Sequence, residues 1–388
     1  MKTLLAALSV LVGLSAAAAS AVEVSMHYLR LEVEPPPTLS NLDPIPEDLG
    51  LAGALLAVDD NATTGRFLGQ SHTLAVTSVA PGGDLLAAAR AALGESRLLV
   101  LDAPAATQQA IADLPEAAGA LLFNTSAAET DLRDTGCRAN LLHTLPSRAM
   151  LADALMQFLV ARRWTALALV RGQSPGDAAF AEALDRSATK FGLKIGAAKV
   201  WAFDADMRRN AAQEVPLFTQ DLGRHDVLLV ADEANDFARY IAYNTWEPRP
   251  VAGSEGLMPV AWDRVVEQWG AAQLQSRFVK ANARAMQSRD YAAWAAVRAI
   301  GEAVTRTGSA DPATLRAFLL GPDFELAGFK GRPMTFRPWN GQLRQPIPLV
   351  TGSALVAQAP LEGFLHQVNE QDTLGVDAPE SRCEAFTP

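Results

Sequence analysis

Short apolar runs alternate with helical patterns along most of this chain, and that alternation confines it to parallel sheets covered by helices. The first run, Val22, Val24, Met26 and Tyr28 with polar residues between, reads as a strand. A proline-rich connection from Glu34 to Pro46 then leads to a helix from Glu47 to about Asp60, with Leu49, Ala52, Leu55 and Leu56 on one face. A strand from Thr73 to Val79, a helix from Asp84 to Leu93, a strand from Arg97 to Leu101, a helix near Gln108 and a strand from Gly119 to Phe123 follow. The pattern restarts at Ser147, suited to cap a helix that carries Leu151, Leu155, Phe158 and Leu159. After it come a strand from Ala166 to Val170, a helix with Phe180, Leu184, Ala188 and Phe191, and a strand from Leu193 to Trp201. A helix broken or started by Pro216 and a strand from Val227 to Ala231 complete this second series, so two sheets are expected rather than one. Further on, Tyr291, Trp294, Val297, Ile300 and Val304 outline a long helix ended by Gly308, and Asp311-Pro312 opens another. Asn340-Gly341 marks a tight turn between strands at Met334 to Phe336 and Ile347 to Val350.

The chain begins Met1-Lys2, continues with an apolar stretch from Thr3 to Ala19, and reaches a small-x-small site at Ala19-Ser20-Ala21. This is a secretory signal, cleaved near Ala21, so the mature product is expected in the periplasm. No later segment is apolar for the roughly 20 residues that a membrane span needs. Removing residues 1–21 leaves 367 residues, enough for two lobes, and takes the formal charge from −10 to −11. Such a charge repels nucleic acid and anionic membrane surfaces, and neither is expected as a partner. The two cysteines, Cys137 and Cys383, allow one intramolecular pairing in an oxidising compartment, and a disulfide is expected, with two buried free thiols as the alternative. Closing so long a loop restricts the unfolded chain by about 4 to 5 kcal/mol. His27, His72, His143, His225 and His366 are scattered without metal-ligand spacing, so no metal site is expected.

The stretches LGLAGALLAVDDNATTGRFLGQ (from Leu49), LLFNTSAAETDL (from Leu121), LLHTLPSRAMLADAL (from Leu141) and YAAWAAVRAIGEAVTRTGSADPATLRAFL (from Tyr291) resemble, in this order, type I periplasmic binding proteins of the leucine/isoleucine/valine-binding family. The segment Trp164 to Trp201 continues the resemblance, which extends over most of the mature chain. GCRANLLHTLPSRAMLADAL with the closing ESRCEAF is more specifically similar to the branch found beside pyrroloquinoline-quinone-dependent alcohol oxidation systems. The resemblance implies an α/β fold of two doubly wound parallel-sheet lobes joined by three hinge crossovers. It places residues 22–145 and 263–327 in lobe 1, 146–262 and 328–365 in lobe 2, and 366–388 in a C-terminal tail. A Cys137–Cys383 bond would then fasten the tail across the hinge side. It also implies a substrate-binding component of an ABC importer, with permease and ATPase subunits as partners and no cofactor required. The quinone cofactor, an alcohol or its oxidation product are the candidate ligands. The rival role is a sensory or cofactor-delivery protein that works without import.

In parallel sheets ligands sit beyond the carboxyl ends of the strands, so the loops after each strand supply the candidate ligand contacts: Asp102, Thr107, Asn124, Thr125, Ser126, Arg171, Ser174, Asp232 and Glu255. By resemblance, hydroxyls and amides of the first two loops hold an amino acid's carboxylate, and an acid of the second lobe holds its ammonium. Thr125, Ser126 and Glu255 suit those roles, but Asp102 would repel a carboxylate, which leaves the clamp incomplete. A flat acidic quinone calls for guanidinium forks and aromatic faces, which Arg171, Trp246 and Trp262 could offer. Gly172-Gln173-Ser174-Pro175-Gly176 has the G-x-S-x-G form of a hydrolase nucleophile elbow. The residue after such a serine must donate its N–H to an oxyanion, and Pro175 has none. The pentapeptide reads instead as a loop that opens a helix, and no enzymatic activity is expected.

Overall fold

The computed structural model describes residues 21–34, 45–202 and 207–386. The expected secretory signal, apart from its last residue, and most of the proline-rich connection lie outside the described residues. The first sheet holds β1 (Val22–Leu31), β2 (Gln70–Val79), β3 (Leu98–Asp102), β4 (Leu121–Asn124) and β5 (Leu141–His143), ordered β2-β1-β3-β4-β5 with every pair parallel. Helices α1 (Leu51–Leu68), α2 (Leu85–Glu95) and α3 (Ala105–Ala112) connect its strands. Strand β3 is buried on both faces, as its unbroken Leu-Leu-Val-Leu run requires.

The second series starts with α4 (Arg148–Ala161), capped by the Ser147 side chain, which accepts from the Met150 N–H. It continues with β6 (Ala166–Arg171), α5 (Pro175–Lys190), β7 (Lys194–Val200), α6 (Met207–Thr219), β8 (Val227–Ala231), α7 (Ala238–Ile241) and β9 (Val251–Gly253). Its strands are parallel in the order β7-β6-β8-β9. Helix α6 neither starts nor breaks at Pro216. It runs on to Thr219, whose hydroxyl returns to the Val215 carbonyl at 2.7 Å.

The chain then goes back to the first sheet. Helices α8 (Ala271–Asn282), α9 (Ser288–Thr307) and α10 (Pro312–Leu319) follow, and Leu274, Trp294, Ile300 and Leu315 share one core with Val24, Met26 and Tyr28 of β1. Gly308 ends α9 in the left-handed conformation, and Asp311 caps α10, both as the sequence indicates. The Asn340-Gly341 turn closes a bridge between Phe336 and Leu343, not a pairing with Ile347–Val350. That last run is β11, and it joins β10 (Met258–Pro259) and β12 (Leu355–Ala359) in a small antiparallel sheet. The difference has a physical cause: between Leu343 and Ile347 the chain leaves one core for the other.

Two cores define two lobes. The first contains Leu142, Ala261, Met334, Phe336 and Leu343, and the second contains Met150, Ala252, Ile347 and Leu349. The chain therefore passes between lobes near 143–149 and near 253–260, and β11 borders both, with Ile347 and Leu349 in the second core and Val350 in the first. The tail crosses as well, because Leu374 belongs to the second core and Phe386 to the first. The Cys137–Cys383 disulfide is formed, with Cα atoms 5.7 Å apart. Among the described residues no helix is long and apolar enough to cross a membrane.

Candidate functional site between the lobes

Both sheets reverse their strand order beside their first strand, between β1 and β3 and between β6 and β8. At such a switch point adjacent loops leave in opposite directions and open a crevice beyond the carboxyl ends of the strands. The loops after β4 and β8 meet at one residue. Arg148, at the start of α4, grips Glu233 after β8 in a fork of 2.8 and 2.6 Å and lies 3.4 Å from Glu129 after β4. One guanidinium thus touches the strand-end loops of both lobes. A cavity of about 270 Å³ lies beside it, between Glu129–Asp131 and the facing sides of α4 and α5.

The strand ends of the first lobe carry a polar network. Asp102, only 1% exposed, accepts from the Tyr28 hydroxyl at 2.9 Å, binds the Arg289 guanidinium, and has Arg30 Nε 3.7 Å away. Burial and the neighbouring carboxylate hold the Tyr28 phenol well above its ordinary range, so it stays a donor. Gly50 packs on this pair: a Cβ there would meet the Tyr28 oxygen at 2.5 Å, and its φ of +84° also favours glycine. Asn124 accepts from Gln108 (2.9 Å) and the Ala127 N–H (2.8 Å), and it donates to the Ala127 carbonyl at 2.8 Å. Thr125 donates to the Leu101 carbonyl at 3.0 Å, and the Ser126 hydroxyl accepts from the Ala103 N–H at 2.9 Å. Thr107 lies half-buried in the first turn of α3.

The wall of the second lobe is built on backbone donors. Asp232 turns both oxygens onto the N–H groups of Asp236, Phe237 and Ala238 (2.8 to 2.9 Å), the last of which is the first residue of α7. Asp177 accepts from the N–H groups of Ser174 (2.9 Å) and Glu233 (2.7 Å), while the Ser174 hydroxyl accepts from the Asp177 N–H at 3.1 Å. Ser174 is therefore the cap of α5 in a reciprocal capping box, with Pro175 as the first helical residue. Arg171, half-buried at the end of β6, donates among the described residues to the Gly172 carbonyl at 3.1 Å. Glu255, also half-buried, accepts from the Gly256 N–H at 3.2 Å.

Of the two tryptophans considered for stacking, Trp262 is 2% exposed, stacks on Tyr291 at 4.8 Å and donates to Gln275 at 2.9 Å. Trp246 is exposed, but it lies just before β9, at the end of the sheet where the strands begin. Neither faces the gap, so neither supplies an aromatic wall there.

The passages between lobes are tied to one another. The Gln345 amide donates to the Thr144 carbonyl at 2.8 Å, and Gln342 reaches the carbonyls of His143 and Leu145, both at 3.2 Å. Lys330 is buried beneath them, donating to Gln345 Oε1 (2.6 Å) and the Pro346 carbonyl (3.1 Å) and lying 4.5 Å over the Tyr291 ring. Burial pushes its ammonium well below the ordinary lysine range. The tail is anchored at both ends: Lys190 donates to the carbonyls of Thr373 (3.0 Å) and Gly375 (2.9 Å) in the second lobe. In the first, Arg382 pairs with Asp134 at 2.6 Å beside the disulfide. These ties were not legible in the sequence, except for the cysteines.

Two α/β lobes with parallel sheets, joined by several passages around a shared crevice, have the fold of type I periplasmic binding proteins. The structural neighbours are periplasmic binding proteins of branched-chain amino acid ABC transporters and their like. One is a branched-chain amino acid ABC transporter periplasmic ligand-binding protein from Burkholderia xenovorans, with a TM-score of 0.71, 18% identity, and coverage of 94% of this chain and 100% of that one. A periplasmic binding protein from Burkholderia mallei has a TM-score of 0.66 at 15% identity, covering 95% and 100%. A leucine-, isoleucine-, valine-, threonine- and alanine-binding protein from Brucella ovis, in a closed conformation, has a TM-score of 0.64 at 12% identity, covering 88% and 92%. No family model and no curated protein matches the chain.

Proposed function

We propose that this chain is the periplasmic substrate-binding component of an ABC importer, taking a small solute in the gap between its lobes. The observation that carries the reading is Arg148, which brings the carboxyl-end loops of both sheets to one place through Glu129 and Glu233. A solute lodged there touches both lobes, and contacts made by both are what favour a closed state over an open one. The closed form is what permease and ATPase partners recognise. The solute belongs to pyrroloquinoline-quinone-dependent alcohol oxidation, as the quinone itself, an alcohol or its product. The neighbours' solute-binding names support a carrier over an enzyme, and the Ser174 cap bond supports the same side.

Native mass spectrometry of the protein purified from its own periplasm tests this directly. A retained small molecule of defined mass is expected. A ligand-free spectrum, together with undiminished solute uptake in a deletion strain, contradicts the importer role.

A further inference from the structure

Residues 371–376 of the tail are bonded to both lobes at once. From the first lobe come Arg337 and Arg344, which flank the bridge between Phe336 and Leu343. Asp372, 2% exposed, accepts from Arg337 Nε at 2.9 Å and from a fork of Arg344 at 2.7 and 3.0 Å. Arg337, fully buried, also donates to the carbonyls of Gln371 (3.2 Å), Leu374 (2.6 Å) and Val376 (3.3 Å), so the tail is wound around its guanidinium. From the second lobe come α4 and α5. Asp153 of α4 accepts from the Gly375 N–H at 2.7 Å, and Lys190 of α5 donates to Asp153 at 2.8 Å as well as to the carbonyls of Thr373 and Gly375. Leu374, between these contacts, is buried in the second core. Gly375 has φ +83°, and a Cβ there would meet Met150 Cγ, in the first turn of α4, at 2.8 Å.

The bonds on both sides are expensive to break. Each joins a buried or half-buried charge to a partner, and separation would leave that charge unpaired away from water. They also lie beside the chain's passages between lobes. Arg344 immediately precedes Gln345, whose amide donates to the Thr144 carbonyl, and Met150 follows directly on residues 143–149. Displacement in a rotation grows with distance from the axis, so bonds beside the passages survive a rotation that would break bonds farther out. The disulfide cannot supply this tie. Cys137 belongs to the first core, so beyond Val376 the tail only returns to the lobe that Arg337 already holds.

We infer that residues 371–376 form a clasp, which holds the two lobes together at their passages and limits how far they open before any solute arrives. This rests on the two-lobed binding-protein reading and adds the element that sets its open state. Arg337, Arg344 and Asp372 are the first-lobe half of the clasp, and Lys190 and Asp153 are the second-lobe half.

The test uses the mature chain without added solute, by small-angle scattering and by hydrogen exchange read as peptides. Lys190→Met removes the cation that holds the tail to the second lobe, and Asp372→Asn weakens the hold on the first while keeping the side chain's shape. Each is expected to enlarge the radius of gyration and to speed exchange about tenfold in peptides covering 143–149 and 342–346, with β3 and β8 unchanged. Cys383→Ser is expected to leave both readings at their original values. An unchanged radius of gyration in a folded Lys190→Met protein overturns the clasp. Faster exchange spread equally over both sheets also overturns it, because Lys190 would then only stabilise its own lobe. Loosening by Cys383→Ser as large as that by Lys190→Met would give the role to the disulfide and overturn it too. Should Asp372→Asn fail to fold, Lys190→Met decides alone. Solute retention, which tests the importer role, is not read here, so either conclusion can fail without the other.

Discussion

The two walls of the gap use their acids differently. In the first lobe Asp102 is the centre of a side-chain network that reaches from β1 to the start of α9, so its partners come from 74 and 187 residues away in sequence. In the second lobe Asp177 and Asp232 serve backbone N–H groups within a few residues, or in the adjoining loop, and Arg171 is left with spare donors. A wall of long-range ion pairs is rigid and costly to break. A wall of local caps leaves a cation available without destabilising the fold.

The sharpest way to break this contrast is Asp102→Ala. It leaves two guanidiniums and the Tyr28 hydroxyl facing one another, and a loss of about 3 kcal/mol is expected in chemical denaturation, reduced from a fully buried pair by the exposure of Arg289. A loss below about 0.5 kcal/mol would place the first wall among ordinary surface sites. Next in size, Cys383→Ser should cost about 2 to 4 kcal/mol and make the tail beyond Leu374 more accessible to protease, because its covalent tie to the first lobe is lost while the Asp134 pairing and the Phe386 contacts remain.

A pH profile sharpens the comparison further. Burial, with the Arg133 guanidinium nearby, holds the His143 imidazole well below its ordinary 6.5. The unfolded chain accepts a proton that the folded chain refuses, so this group's contribution to stability is full above about 6.5 and falls as pH drops below it. In His143→Gln that part of the melting-temperature profile should flatten. In the second wall, Ser174→Ala removes a cap and should cost about 1 kcal/mol while leaving the protein unreactive to serine-directed probes, as before. Smallest of all, Arg171→Gln should change stability by no more than about 0.5 kcal/mol. A large loss would mean that Arg171 is a structural residue like Asp102, and the contrast would disappear.

The sequence made the scaffold legible wherever the signal was local. Ser147, Gly308 and Asp311 act within one turn of their own helices, and all three end or start a helix where the pattern puts them. Short or side-chain-held pieces escaped: β5 has three residues, and β10 has two. The chain from Gln345 to Pro346 is held by Lys330, which periodicity cannot reveal. The candidate site was legible as a set of loops, not as a set of orientations. Asp102 and Asp232 occupy equivalent strand ends, yet one faces arginines from distant elements and the other its own helix. Arg30 and Arg289 went unnoticed because the first ends an ordinary strand and the second opens a helix far along the chain. Only the folded chain shows that they meet, on either side of Asp102.

The most direct measurement is small-angle scattering of the mature protein as pyrroloquinoline quinone or another candidate solute is added. The account predicts a smaller radius of gyration at saturation with a solute that binds. A profile identical with and without solute, from protein that calorimetry shows to be loaded, would contradict a gap that shuts on its ligand.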